Sequence, residues 1–239
     1  MSSALHVSPD LAVLDRLPLL SRVEDGREWP MLLWMPGEGR RMVSSAPLGG
    51  GIGERRWVLN AQVPHGYRRM DPDAHLAGLA ARAGASGPGV GLMTAASVAD
   101  HGSASDGGVH AVVTAGLGVR GWAAGPAPGL PGPRAAGTIN IVVSVPVAFS
   151  DAALVNAVAT ATEAKVQALR DAGVDASGTP TDAVCVAARE PSAGCPAESF
   201  AGPRSVWGAR LARAVHEAAY QACLKAENHL RGAGRAVDG

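Results

Sequence analysis

The chain has 239 residues, 47% of them apolar but only 4% aromatic, so Ala, Val, Leu and Ile must build its core, and the length suits one domain over residues 1–239. Its 21 basic and 21 acidic side chains cancel, which removes the electrostatic footprint of a protein that binds nucleic acid or an anionic membrane surface. Cys185, Cys195 and Cys223 lack C-x-x-C spacing, residues 1–22 lack a signal-peptide pattern and no apolar run spans a bilayer; the expectation is a cytoplasmic protein without a disulfide framework.

In chain order, Met31–Met35, Arg41–Ser45, Trp57–Val63, Val90–Val98 and Val109–Ala115 read as strands, with Gly49, Gly50, Gly51 and Gly53 between the second and third. The spacing predicts a helix over Asp73–Ala83, stopped by Gly84. Residues 123–137, rich in Gly and Pro, suit neither a helix nor a sheet interior and read as a surface loop. A strand follows in which Ile139, Ile141, Val143, Val145 and Val147 alternate on one face, while the other face starts polar with Thr138 and Asn140. Ser150 caps a helix running to about Ala172, closed by Gly173. Val184–Ala188 is a short strand, and Trp207–Leu224 an amphipathic helix with Trp207, Leu211, Val215 and Ala218 on one face. This interleaving predicts an α/β or α+β layered fold.

Several common motifs fail on inspection. Residues 116–121 satisfy G-x-G-x-x-G after a strand, but a dinucleotide fingerprint needs a helix to open there, and Gly125, Pro126, Pro128 and Pro131 follow instead. There is no G-K-[ST], no G-x-S-x-G and no H-E-x-x-H. Asp100, His101 and His110 match no standard metal-ligand spacing, so no metal site is assigned; the metal requirement and the oligomeric state, including a homo-oligomer, are left open.

An ordered series of short motifs remains: Ser44-Ser45-Ala46 before Gly49-Gly50-Gly51; Asn60-Ala61-Gln62-Val63; residues 89–96; Thr114 to Gly118; Gly137-Thr138-Ile139-Asn140-Ile141; Ala161 to Lys165; Thr181-Asp182-Ala183-Val184; and Ala201-Gly202-Pro203 with Trp207-Gly208. Together they resemble the adenosylcobinamide amidohydrolase family. The resemblance implies hydrolysis of the amide joining aminopropanol to the corrin ring, giving adenosylcobyric acid in corrinoid salvage, with the corrinoid as substrate and no cofactor. Val119 departs from the family pattern, which commonly has Asn there. More locally, Gly137-Thr138 opening an apolar strand, then the helix to Gly173, then Thr181-Asp182 entering a strand, is similar to the nucleophile region of the DmpA aminopeptidase and ornithine acetyltransferase group. That likeness implies a Thr nucleophile at a strand start, exposed by cleavage before Thr138, in an αββα sandwich of mixed sheets between helices. A non-catalytic corrinoid-binding protein and a peptide or N-acyl amidase are the competing functional readings.

Cleaving an amide requires a nucleophile, a base, donors for the oxyanion and an acid for the leaving amine. Thr138 and Asn140 share a strand face, so one can attack while the other donates to the oxyanion; the plain alternative is that Thr138 merely begins a strand. Lys165 falls in the apolar stripe of Leu154, Val158, Ala161, Thr162 and Leu169, and it can snorkel, pair with Asp182 or serve as a base. Asp182 is a candidate base or orienter, or a turn residue. Glu163 lies on the far side of the same helix and is a candidate through the resemblance alone. For substrate binding the candidates are Ser45, Gly49, Gly50, Gly51, Asn60, Gln62, His65, Thr94, Gly116, Gly118 and Thr181, with Trp57 and Trp122 as possible covers for a flat macrocycle.

Overall fold

The computed structural model describes residues 14, 17–125, 137–194 and 196–235. Its first element went unread in the sequence. Leu19–Glu24 (β1) and Arg27–Trp34 (β2) form an antiparallel hairpin turned by Asp25 and Gly26, at φ 51° and 70°. Asp-Gly with both residues at positive φ is the favoured two-residue hairpin turn, so the signal was present although β1 is only weakly apolar. Arg40–Ser44 (β3), Gly51–Glu54 (β4) and Trp57–Gln62 (β5) follow, then the helix Pro72–Arg82 (α1) and Gly89–Thr94 (β6). The predicted strand to Val98 stops at Thr94, whose Oγ1 accepts from the Ala96 amide at 3.0 Å; Val98–Asp100 is a 3-10 turn.

Gly102–Asp106 (β7) and Val109–Leu117 (β8) precede Gly137–Ala148 (β9), the helix Asp151–Asp171 (α2), Ala183–Arg189 (β10) and the helix Val206–Arg235 (α3). Ser150 caps α2 as expected, its Oγ accepting from the Ala153 amide at 3.1 Å, and Gly173 takes φ 76° after its end. The last helix runs well past Leu224, its expected end. Strands β4 and β7 lack any apolar alternation in sequence and exist through pairing with β3 and β8. Residues 126–136 of the predicted loop lie outside the described residues.

One sheet has the order β1-β2-β5-β6 and the other β4-β3-β10-β9-β8-β7. The parallel pairs are β5–β6 and β9–β10, and each is joined through a helix, as a parallel connection requires. Leu76 and Leu79 of α1 cover the outer face of the first sheet against Leu33, Trp57 and Leu59. Leu32, Trp34, Val58 and Leu92 meet Met42, Val112, Val142 and Cys185 between the sheets. Ile139, Ile141, Val143 and Val145 of β9 point the other way, into Leu154, Leu169, Leu211 and Val215 of α2 and α3. The layers are therefore helix, sheet, sheet, helix, the expected αββα sandwich. Strand alternation in β9 consequently sends Asn140 and Val142 toward the first sheet.

Candidate active site

Because β9 and β10 run parallel, their starts lie side by side, with Ala183 opposite Asn140. Strand β8 runs antiparallel and ends at the same place, Gly116 opposite Thr138 and Leu117 opposite Gly137. The ends of β5 and β6 cross here too: the Asn140 amide donates to Asn60 Oδ1 at 2.9 Å and to the Met93 carbonyl at 3.0 Å. Residues far apart in sequence thus converge between the two sheets at one end of the sandwich.

Asp182 is the joint of this convergence. Its Oδ2 accepts from Lys165 Nζ at 2.6 Å and from the Thr179 amide at 3.2 Å, while its Oδ1 accepts from the Ile139 amide at 2.9 Å and from the Thr179 hydroxyl. A carboxylate offers about four acceptor directions, and four donors occupy them. The expected role as a base is not supported by this arrangement; Asp182 instead ties the start of β9 to its own turn and to α2. Lys165, whose side chain is 9% exposed, adopts the pairing with Asp182 from among its three readings. Gly178 makes room for the pair, since a Cβ there would lie 2.5 Å from Asp182 Oδ2 and 2.6 Å from Lys165 Nζ. Thr179 and Gly178 were missed in the sequence, although a Thr three residues before an Asp is a recognisable local hydrogen-bonding pattern.

Beside this joint, Thr138 Oγ1 and Thr181 Oγ1 are 2.5 Å apart, and the Thr181 hydroxyl donates to the Gly137 carbonyl at 2.9 Å. Thr138 is half-buried and Thr181 exposed. Cys223 lies near enough to feel Asp182 and Lys165, but burial, followed by the Glu227 and Asp182 carboxylates, pushes its thiol up to about 12. Burial likewise lifts Cys185 to about 12. Neither is a thiolate nucleophile at neutral pH.

The family model for adenosylcobinamide amidohydrolase matches residues 16–231, which takes in every strand above, α1, α2 and all but the last turn of α3. The chain belongs to the adenosylcobinamide amidohydrolase family. The adenosylcobinamide amidohydrolase of Methanosarcina mazei is 31% identical over 195 residues, covering 79% of this chain and 90% of that relative.

The other family-motif residues divide into those that reach the site and those that serve the framework. Ser45 abuts the start of β10, its amide donating to the Val184 carbonyl at 3.0 Å and its Oγ accepting from the Val184 amide at 3.1 Å. Gly49, at φ 72°, passes so close to β6 that a Cβ would lie 2.0 Å from the Gly89 carbonyl oxygen; Gly50 lies on the same turn and Gly51 pairs with Ser44. Gly116 is buried in β8 opposite Thr138, and Gly118 is exposed just beyond. Thr94 Oγ1 and Gln62 Oε1 accept from the Ala96 and Val98 amides, so both side chains brace the turn after β6.

Five expectations change. Both amide hydrogens of Asn140 are engaged by Asn60 and Met93, so it has none to offer an oxyanion. Asn60, 4% exposed, spends its own amide on Thr114 Oγ1 at 3.0 Å, which makes it a tie between the sheets rather than a contact for corrin amides. Glu163 is exposed in a groove of about 450 Å³ with Gln167, Arg213 and His216, on the face of α2 away from Lys165, so the fold does not bring it to Thr138. Trp57 is core, its Nε1 donating to the Gly87 carbonyl at 3.0 Å. Thr162, expected inside the apolar stripe of α2, is exposed, whereas Ala157, Ala164 and Ala168 are buried. His65 is exposed on the turn after β5. Trp122 is 49% exposed, with Nε1 donating to Asp175 at 3.0 Å, and its neighbour Gly121 pairs with Gly178, beside Lys165 and Asp182. Among the described residues no helix is long and apolar enough to cross a membrane, and no cluster of three or more His, Cys, Asp or Glu is arranged to hold a metal ion.

Proposed function

We propose that this chain hydrolyses the amide between aminopropanol and the corrin ring of adenosylcobinamide, releasing adenosylcobyric acid in the cytoplasm, with the corrinoid as substrate and no nucleotide or nicotinamide consumed. The observation that carries this reading is the family match across the whole sandwich, which includes the polar cluster where β9 and β10 begin. In this reading Thr138 Oγ attacks the amide carbon, the aminopropanol nitrogen leaves with a proton, and water then hydrolyses the ester to free Thr138. Asp182 and Lys165 hold the strand starts in register, and Ser45 and the Gly49–Gly51 turn border the substrate.

The base depends on the state of the chain. If the Gly137–Thr138 bond is cut, the freed α-amine, with an ordinary pKa of about 7.7 to 8.0, lies on the attacking residue itself; in an intact chain a water must take the proton. Intact-mass measurement separates one species from two fragments.

The functional test is mass spectrometry of adenosylcobinamide incubated with purified protein. The expected result is catalytic release of aminopropanol and adenosylcobyric acid without added ATP or NAD. A stoichiometric absorbance shift with no product acid would establish a corrinoid-binding protein instead, and turnover that needs either nucleotide would refute the proposed reaction.

A further inference from the structure

We propose that Thr181 is the positioning residue of the attacking group: its Oγ1 accepts a hydrogen bond from the Thr138 hydroxyl, which fixes the Thr138 rotamer before the base takes that proton. The inference rests on Thr138 being the nucleophile and assigns Thr181 a role other than holding substrate.

The argument is a proton count. A threonine hydroxyl carries one proton and two lone pairs. Thr181 Oγ1 lies 2.9 Å from the Gly137 carbonyl oxygen, an atom that can only accept, so the single Thr181 proton is on that line. The 2.5 Å contact between the two hydroxyl oxygens needs a proton between them, and the one available belongs to Thr138. Thr138 is therefore the donor and Thr181 the acceptor. At the short end of the O–H···O range, this bond holds the Thr138 side chain to one rotamer and turns its lone pairs away from Thr181.

The surrounding structure maintains that direction. The Gly137 carbonyl belongs to the residue before Thr138, and the Ile139 amide after it is anchored on Asp182, the residue after Thr181. The two threonines are thus clamped through adjacent backbone at the start of β9 and in the turn before β10, 43 residues apart in sequence. Thr181 is exposed and packs no core, so its hydroxyl can be removed at little structural cost.

The test compares Thr181→Val, which keeps the shape and removes the hydroxyl, with Thr181→Ser, which keeps the hydroxyl, and with Thr138→Ala. Steady-state turnover of adenosylcobinamide, corrinoid binding by absorbance, thermal melting and intact mass are read on each. The valine variant is expected to lose about 100-fold in kcat, the scale of a misaimed reacting group, with KM within about twofold and an unchanged melt. The serine variant should recover most of the rate. Thr181→Ala serves the same purpose if the valine variant does not fold. An unchanged kcat in the valine or alanine variant overturns the proposal, and so does a rise in KM alone, which would assign Thr181 to substrate binding. A fully active Thr138→Ala removes the nucleophile reading beneath it, a result distinguishable because Thr181 need not then be touched.

Discussion

Replacing Asp182 by Asn leaves the Lys165 ammonium without its carboxylate in a place where its side chain is only 9% exposed. Breaking one partner out of a buried ion pair costs about 3–5 kcal/mol, because the remaining charge is desolvated without compensation. Lys165→Met is milder: Asp182 keeps its three donors from Ile139 and Thr179, and the loss should be about 1–3 kcal/mol. In the double variant the methionine removes the stranded charge, so its cost should fall short of the summed single costs by at least about 1 kcal/mol. For a chain of this size each kcal/mol moves the midpoint by about 2–4 °C, so Asp182→Asn alone should melt roughly 6 °C or more below the parent. Urea denaturation and thermal melting of the four proteins close the cycle. Residual turnover of Asp182→Asn should keep the shape of its pH profile, since a saturated acceptor is not the base. A melt within a degree of the parent, or strictly additive costs, would refute the joint role of this pair, and loss of one limb of the pH profile would restore Asp182 as a base.

Cys185 and Cys223, both pushed up to about 12 by burial, should resist alkylation in the native protein at pH 8 and react on unfolding, as read by peptide mass mapping; labelling of either at the rate of a free thiol would contradict its placement. Burial alone would raise the Glu24 carboxyl, but the His75 hydrogen bond at 2.8 Å and the Arg22 charge hold it below the usual carboxylate value. A lowered carboxyl stabilises the fold above its unfolded pKa, and that stability is lost as pH falls through the lower folded value. Glu24→Gln should therefore reduce the urea midpoint at pH 7 and approach the parent near pH 3, and a gap that stays constant with pH would show that the ionised form contributes nothing.

What the sequence determined by itself is what local physics encodes. The period-two alternation of Ile139 to Val145, the Ser150 cap, the Gly173 stop and the helical stripe that includes Lys165 depend on neighbours within a few residues, and each appears where the pattern placed it except that the stripe leaves Thr162 exposed. The interleaving of strands and helices likewise carried the layered fold, and the ordered motifs carried the family. The tertiary structure alone decided the partners. Strands β4 and β7 carry too little apolar pattern to be seen until β3 and β8 lie beside them. Asn140 looked free to donate because the residues that occupy it, Asn60 and Met93, are 80 and 47 positions away. Asp182 looked like a base for the same reason: its hydrogen bonds from Ile139 and Lys165 come from another strand and a helix. Hydrogen-bond capacity is finite, and which donor fills each lone pair is set by strand register and sheet stacking, quantities that no single stretch of sequence contains.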